Sequence, residues 1–262
     1  MISTLLQYQI VTKNLDRSLT TVATDPVVKR QSAYYLENIG NVKSIDDFLE
    51  DDQLFDYAMK AFGLEDMDYA KAFMRKVLEE GIDNDDSFAN QLADDKYARF
   101  AETFNFARYG DATTAFDRTQ QPVVDAYMRQ TLEENEGASN QGVRLALYFS
   151  RNASEITSGL DILADKALAE VVYTALGLPD EFASADIDKQ AAYIEDRIDI
   201  EGFQDPEKVE KFLTRFSAMY DLKNKPATAT SPALQVITSS NSTISIGESV
   251  LASIQNLKLG GF

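Results

Sequence analysis

Sliding the 262-residue chain past itself by 114 positions lays residues 34–64 over residues 148–178, and ten of the 31 aligned columns are identical, where roughly two would coincide by chance. The identities are Tyr34/Tyr148, Asn38/Asn152, Ser44/Ser158, Asp47/Asp161, Leu49/Leu163, Asp51/Asp165, Leu54/Leu168, Ala61/Ala175, Gly63/Gly177 and Leu64/Leu178. Tyr35/Phe149, Val42/Ile156 and Phe48/Ile162 are conservative replacements in the same register. A tandem duplication is therefore expected, and it limits the fold to one that uses the same unit of short elements twice.

The repeated residues read as helix punctuation. Ser44 with Asp47, and Ser158 with Asp161, have the spacing at which a hydroxyl caps free amides while the acid three residues on reaches back to the cap. Asp51 and Asp165 precede apolar residues at helical spacing, Leu54, Tyr57 and Ala61 in one copy and Leu168, Val171 and Ala175 in the other, so each is expected to be an N-cap. Gly63-Leu64 and Gly177-Leu178 then end those helices, because glycine accepts the left-handed conformation and the leucine packs back on the last turn. Pro179 blocks continuation.

Downstream the copies diverge. Tyr69, Phe73 and Val77 predict a helix ended by Gly81, and Ala192, Ile194 and Ile198 one ended near Gly202. Asp94 leads into Tyr97, Phe100, Ala101 and Phe104, and Asp205-Pro206 into Val209, Phe212 and Phe216. Outside the repeats, one helix is expected over roughly 3–20, another over 25–39 opened by Asp25-Pro26, and a third over 121–134 from Pro122. Residues 226–243 are rich in Ser, Thr, Ala and Pro; the alternation of Leu234 and Val236, then Ile244 and Ile246, suggests a small β-hairpin across Ser239-Ser240-Asn241-Ser242, and Val250, Leu251, Ile254 and Leu257 a terminal helix over 248–257. The expected fold is all-α, a tandem short-helix bundle divided as 1–110, 111–222 and a linker with terminal helix, 223–262.

Composition removes most enzyme chemistry. There is no Cys and no His, so thiolates, cysteine metal sites, the usual base near neutral pH and every Ser-His or Cys-His arrangement are excluded. A net charge of −18 disfavours phosphate backbones and anionic membranes, so nucleic acid is not an expected partner. No window supplies the run of about 18 apolar residues that membrane insertion needs, and Gln7, Tyr8 and Gln9 interrupt any secretory core, so no cleaved signal is expected.

The remaining chemical candidates each have a simpler reading. Asp83-Asn84-Asp85-Asp86-Ser87 looks like the start of a calcium loop, but an EF-hand needs Gly sixth and Glu twelfth, where Phe88 and Asp94 stand. Glu65/Asp66/Asp68 and Asp51/Asp52 could exchange protons if one acid were buried, yet they sit at predicted helix starts, where acids stabilise anyway. There is no phosphate-cradling glycine run and no Ser nucleophile motif. No catalytic, cofactor or metal residues are assigned. Residues 44–102 hold 17 acidic and 6 basic residues, either a solvated face or a docking face for a basic partner.

Tyr34-Tyr35-x-x-Asn38-Ile39, Asp46-Asp47-Phe48-Leu49, the run Tyr57 to Leu64, Phe73-Met74-Arg75-Lys76-Val77-Leu78 and Ser87-Phe88-Ala89-Asn90 resemble a domain of unknown function found in alphaproteobacteria and often encoded in flagellar gene clusters. The likeness covers most of 27–222, and Ala-Phe-Gly-Leu and Phe-Met-Arg-Lys-Val-Leu are its most specific parts. It implies no activity and no ligand. What it implies is a non-enzymatic role with protein partners, flagellar components among them, in the cytoplasm or at the flagellum. An adaptor or chaperone that binds a basic partner is the alternative.

Overall fold

The computed structural model describes residues 3–224. Among them are fourteen α-helices and no strand: α1 (Thr4–Lys13), α2 (Leu15–Thr24), α3 (Pro26–Asn38), α4 (Ile45–Glu50), α5 (Asp52–Ala61), α6 (Lys71–Glu80), α7 (Lys96–Thr103), α8 (Phe106–Tyr109), α9 (Gln121–Ser139), α10 (Gln141–Asn152), α11 (Gly159–Ala164), α12 (Lys166–Leu176), α13 (Ile187–Glu195) and α14 (Pro206–Asn224). The chain is all-α as expected. The hairpin expected across Ser239–Ser242 and the helix over 248–257 lie outside the described residues.

Local sequence explains where most helices begin and end. Ser44 and Ser158 each complete a capping box with the acid three residues on, Asp47 and Asp161, opening α4 and α11. Asp51 accepts from the Leu54 amide, and Asp165 from those of Ala167 and Leu168, opening α5 and α12. Both helices close through the same pair of bonds. The Gly63 and Leu64 amides donate to the Lys60 and Met59 carbonyls, and those of Gly177 and Leu178 to the Thr174 and Tyr173 carbonyls. The glycines take φ of 68° and 67° to do so.

Apolar faces then meet around α9, which packs against α2, α3, α5 and α10. Tyr57 of α5 stacks on Tyr127 of α9 at 3.9 Å between ring centres, and on Tyr35 of α3 at 4.7 Å. Phe48, Phe55, Phe100 and Phe104 pack together nearby with no exposed surface. Farther along the chain Phe149, Phe203 and Phe212 pack edge and face. Buried apolar residues from Tyr8 to Phe216 form one continuous cluster. Each fully buried Phe stabilises by about 2–3 kcal/mol on apolar area.

Five expectations shift. The helix over 121–134 runs on to Ser139. Tyr69, expected on one helix face with Phe73 and Val77, precedes α6 and is exposed. The helix over 3–20 is two helices: it stops at Asn14, whose side-chain amide donates to the Ile10 carbonyl, and Leu15, Leu19 and Val22 turn onto the core in a new direction. The helix reaching Ile198 ends instead at Glu195, with Asp196 as its cap. Asp94 does not begin the aromatic helix directly, since α7 starts at Lys96, although Asp94 accepts from the Lys96 amide at 3.0 Å.

The glycine closures yield a test. A Cβ at Gly63 would meet only the Gln130 amide at 3.8 Å, and one at Gly177 the flexible Met219 methyl at 3.1 Å, so backbone strain dominates the cost. Gly63→Val and Gly177→Val should each destabilise by about 1–3 kcal/mol, and Asn by less. Denaturant midpoints unchanged in both valine variants would contradict this.

Candidate functional site

The polar residues shared by the two segments form the same small knot twice. Asn38 and Asn152 each donate back to the carbonyl four residues earlier, Tyr34 and Tyr148, at 2.8 Å. The Tyr34 hydroxyl donates to Asp51 at 2.8 Å and that of Tyr148 to Asp165 at 2.5 Å. The other oxygen of each aspartate caps its helix, Asp51 at 3.0 Å from the Leu54 amide and Asp165 at 3.1 Å from that of Leu168. One carboxylate thus starts a helix and ties it to the helix before.

The surroundings of the two knots differ. Against Asp165 lies the start of α7: Lys96 Nζ reaches Asp165 at 3.1 Å, with 17% and 11% of the two side chains exposed, and sits 5.6 Å from the centre of the Tyr148 ring. One turn on, Arg99 donates to Asn152 at 3.1 Å and to Glu155 at 2.7 Å. A cleft of about 280 Å³ remains beside this contact, bordered by Asp94, Asp95, Glu102, Asp161 and Asp165. Around Asp51, by contrast, Asp47, Glu50 and Asp52 line an open acidic surface.

Electrostatics follow from that difference. Burial alone would push the Asp165 carboxyl up, but Lys96, the Tyr148 hydroxyl and the Leu168 amide hold it below the usual carboxylate range. Burial opposes the charge of Lys96 too, yet Tyr148, Asp165 and Asp94 keep it firmly protonated. Burial and the adjacent Asp165 push the Tyr148 phenol up. These three groups are locked in their ordinary charge states, which suits a structural interlock and not proton transfer.

The sequence-flagged acids end in separate places. Asp51 and Asp52 divide, one into the knot and the other into an ion pair with Lys71. Glu65 is half-buried, with one carboxylate oxygen shielded and without a hydrogen-bond partner, and burial and then Glu134 push its carboxyl up. It borders a second cleft of about 290 Å³ with Tyr34, Asp56, Lys60, Asp68 and Tyr127. Asp66 is exposed. In the Asp83–Ser87 turn, Asn84 accepts from the Asp86 amide while Arg108 pairs with Asp83 at 3.5 Å. Among the described residues no three acids are grouped to hold a metal ion.

Two functional groupings lie beyond local reading. Lys96 and Arg99 gave no sign of their targets more than fifty residues away, although their spacing of three places them on one helix face. Glu133, 1% exposed, is held by Arg129 at 3.1 Å and by Arg151 at 3.0 Å, joining α9 to α10.

Comparison with known proteins places this arrangement. A family described as a protein of unknown function, DUF1217, matches residues 61–209. The crystal structure of a protein from Agrobacterium tumefaciens is similar, with 49% sequence identity and a TM-score of 0.80 over 86% of this chain and 98% of that one. No curated protein matches. No helix among the described residues is long and apolar enough to cross a membrane.

Because the Asp165 carboxyl is depressed on folding, its contribution is complete above about pH 4 and disappears as the pH falls through the folded value. Asp165→Asn should therefore flatten the acid side of the stability profile. Lys96→Met, which strands a carboxylate only 11% exposed, should cost about 3 kcal/mol at neutral pH. Denaturant unfolding across pH checks both; profiles that superpose on the parent would refute the interlock.

Proposed function

The chain belongs to the DUF1217 family of proteins of unknown function, and from that premise we propose a non-enzymatic helical protein, structural or assembly-associated, that acts by surface recognition. The observation that carries the reading is the use made of the recurring polar residues. Tyr34, Asn38, Ser44, Asp47 and Asp51, and their counterparts Tyr148, Asn152, Ser158, Asp161 and Asp165, all hold helix ends or join neighbouring helices. A repeat preserved for catalysis would keep reactive groups free. We read the recurrence as descent from one duplicated unit of short helices.

A connection with the flagellum rests on the family resemblance, and the place of action, cytoplasm or flagellum, is part of the same proposal. Cell fractionation with purified basal bodies tests it. The protein is expected in that structure, and its deletion is expected to impair motility; absence from it together with normal motility would remove the flagellar reading.

The alternative, an adaptor or chaperone for a basic partner, draws support from the exposed acids Asp46, Asp47, Glu50 and Asp52 on and beside α4. Opposite charge on a partner would steer association more than it would strengthen the final complex. A carboxylate-based hydrolase has one observation in its favour, the raised carboxyl of Glu65 beside a cleft. Against it, the chain has no His or Cys to share the proton work.

Partner capture on the immobilised full-length chain separates these readings. For recognition through the acidic face, partner yield should fall several-fold between low salt and about 0.3 M salt. Retention that ignores salt would count against that face.

A further inference from the structure

We propose that the surface around Asp51 is a docking site for a basic helix of another protein, which it takes up in the way the Asp165 knot takes up α7. The proposal rests on the surface-recognition reading and gives it a place and a partner chemistry.

The second knot supplies the template. There a helix start inserts one lysine against the carboxylate and over the tyrosine, 3.1 Å from Asp165 and 5.6 Å from the Tyr148 ring centre. An arginine three residues on bonds Asn152 and Glu155. In the first knot the matching positions are Asp51, Tyr34, Asn38 and Asn41. The tyrosine–aspartate bond, the asparagine bond and the cap on the third amide recur there, although Asp51 lacks the second amide that Asp165 holds, so the carboxylate and the ring are joined by the same bond. Among the described residues no Lys or Arg pairs with Asp51. Asn38 and Asp51 are partly exposed where Asn152 and Asp165 are buried, while Tyr34 and Tyr148 are both partly exposed.

Charge favours the same occupant. Glu50 stands where the second knot has Ala164, and Asp52 where it has Lys166. Lys71 neutralises Asp52, but Glu50 and Asp47 are exposed beside Asp51. A lysine there would meet Asp51, Glu50 and Asp47 together, whereas of the matching repeat positions around Lys96 only Asp165 and Asp161 are acidic. The arginine subsite is less acidic, since Asn41 replaces Glu155, and it offers amide carbonyls as acceptors. The occupant is accordingly a helix start with Lys and Arg three residues apart, placing both on one face.

A labelled peptide of residues 94–104 carrying Asp94→Asn, Asp95→Gln and Glu102→Gln keeps Lys96 and Arg99 as its charged side chains and serves as the probe, with anisotropy measured against the full chain. Binding should weaken about tenfold for the Asp51→Asn, Glu50→Gln double variant. Asparagine retains the N-cap, so this variant keeps α5 while losing the charge. A peptide with Gln at both basic positions should not bind, and Asp165→Asn in the full chain should leave peptide binding unchanged. Absence of binding, or binding indifferent to Asp51→Asn, overturns the site. Salt-sensitive capture of a native partner that survives Asp51→Asn would overturn it while leaving surface recognition intact. Dimerisation abolished by Asp51→Asn, or peptide binding that emerges only after Lys225→Gln and Lys258→Gln, would assign the surface to a second copy or to the chain's own tail and overturn the choice of another protein.

Discussion

A single carboxylate placed between two helices organises each half of this protein. Asp51 and Asp165 begin α5 and α12 by capping free amides, and with their second oxygen they hold a tyrosine of the helix before. The cap alone contributes about 1 kcal/mol. Its larger effect is geometric. It fixes how α3 meets α5 and α10 meets α12, so that the short helices between, α4 and α11, turn Phe48 and Ile162 wholly into the core. Schellman closures at Gly63 and Gly177 then set the length of each capped helix.

The first half seats its tyrosine–aspartate pair at the surface, whereas the second has buried its own beneath α7. Burying Asp165 is tolerable only because Lys96 accompanies it and because tyrosine and amides satisfy the remaining oxygen positions. Glu133 follows the same rule between Arg129 and Arg151. The first joins segments far apart in the chain, α7 and α12, and the second the consecutive helices α9 and α10, along the sides of one hydrophobic cluster. The acids held inside are thereby committed to the fold, whereas Glu50 stays exposed and Asp46, also exposed, pairs with Arg75.

What could be read from the sequence was whatever a few neighbouring residues decide. Capping boxes at Ser44 and Ser158, the aspartate caps, Asp25 before Pro26 and the glycine closures depend on atoms within one turn. The break at Asn14 was invisible because apolar residues continue through it at helical spacing, and only packing of Leu15 and Leu19 against the core redirects the chain. Ile198 continued the apolar pattern of α13 for a similar reason, although the helix ends before it. Lys96 could not be matched to Asp165, nor Glu65 known to have a shielded oxygen, since both depend on chain brought together across long separations.

The two knots and the interlock on Asp165 should make residues 3–224 open as one cooperative structure. Native-state hydrogen exchange of the full chain tests it most directly. The slowest amides of α5 and α12, helices of different halves, should exchange through one opening with a shared free energy and a shared response to denaturant. Release of α5 at markedly lower free energy while α12 stays protected would contradict the claim.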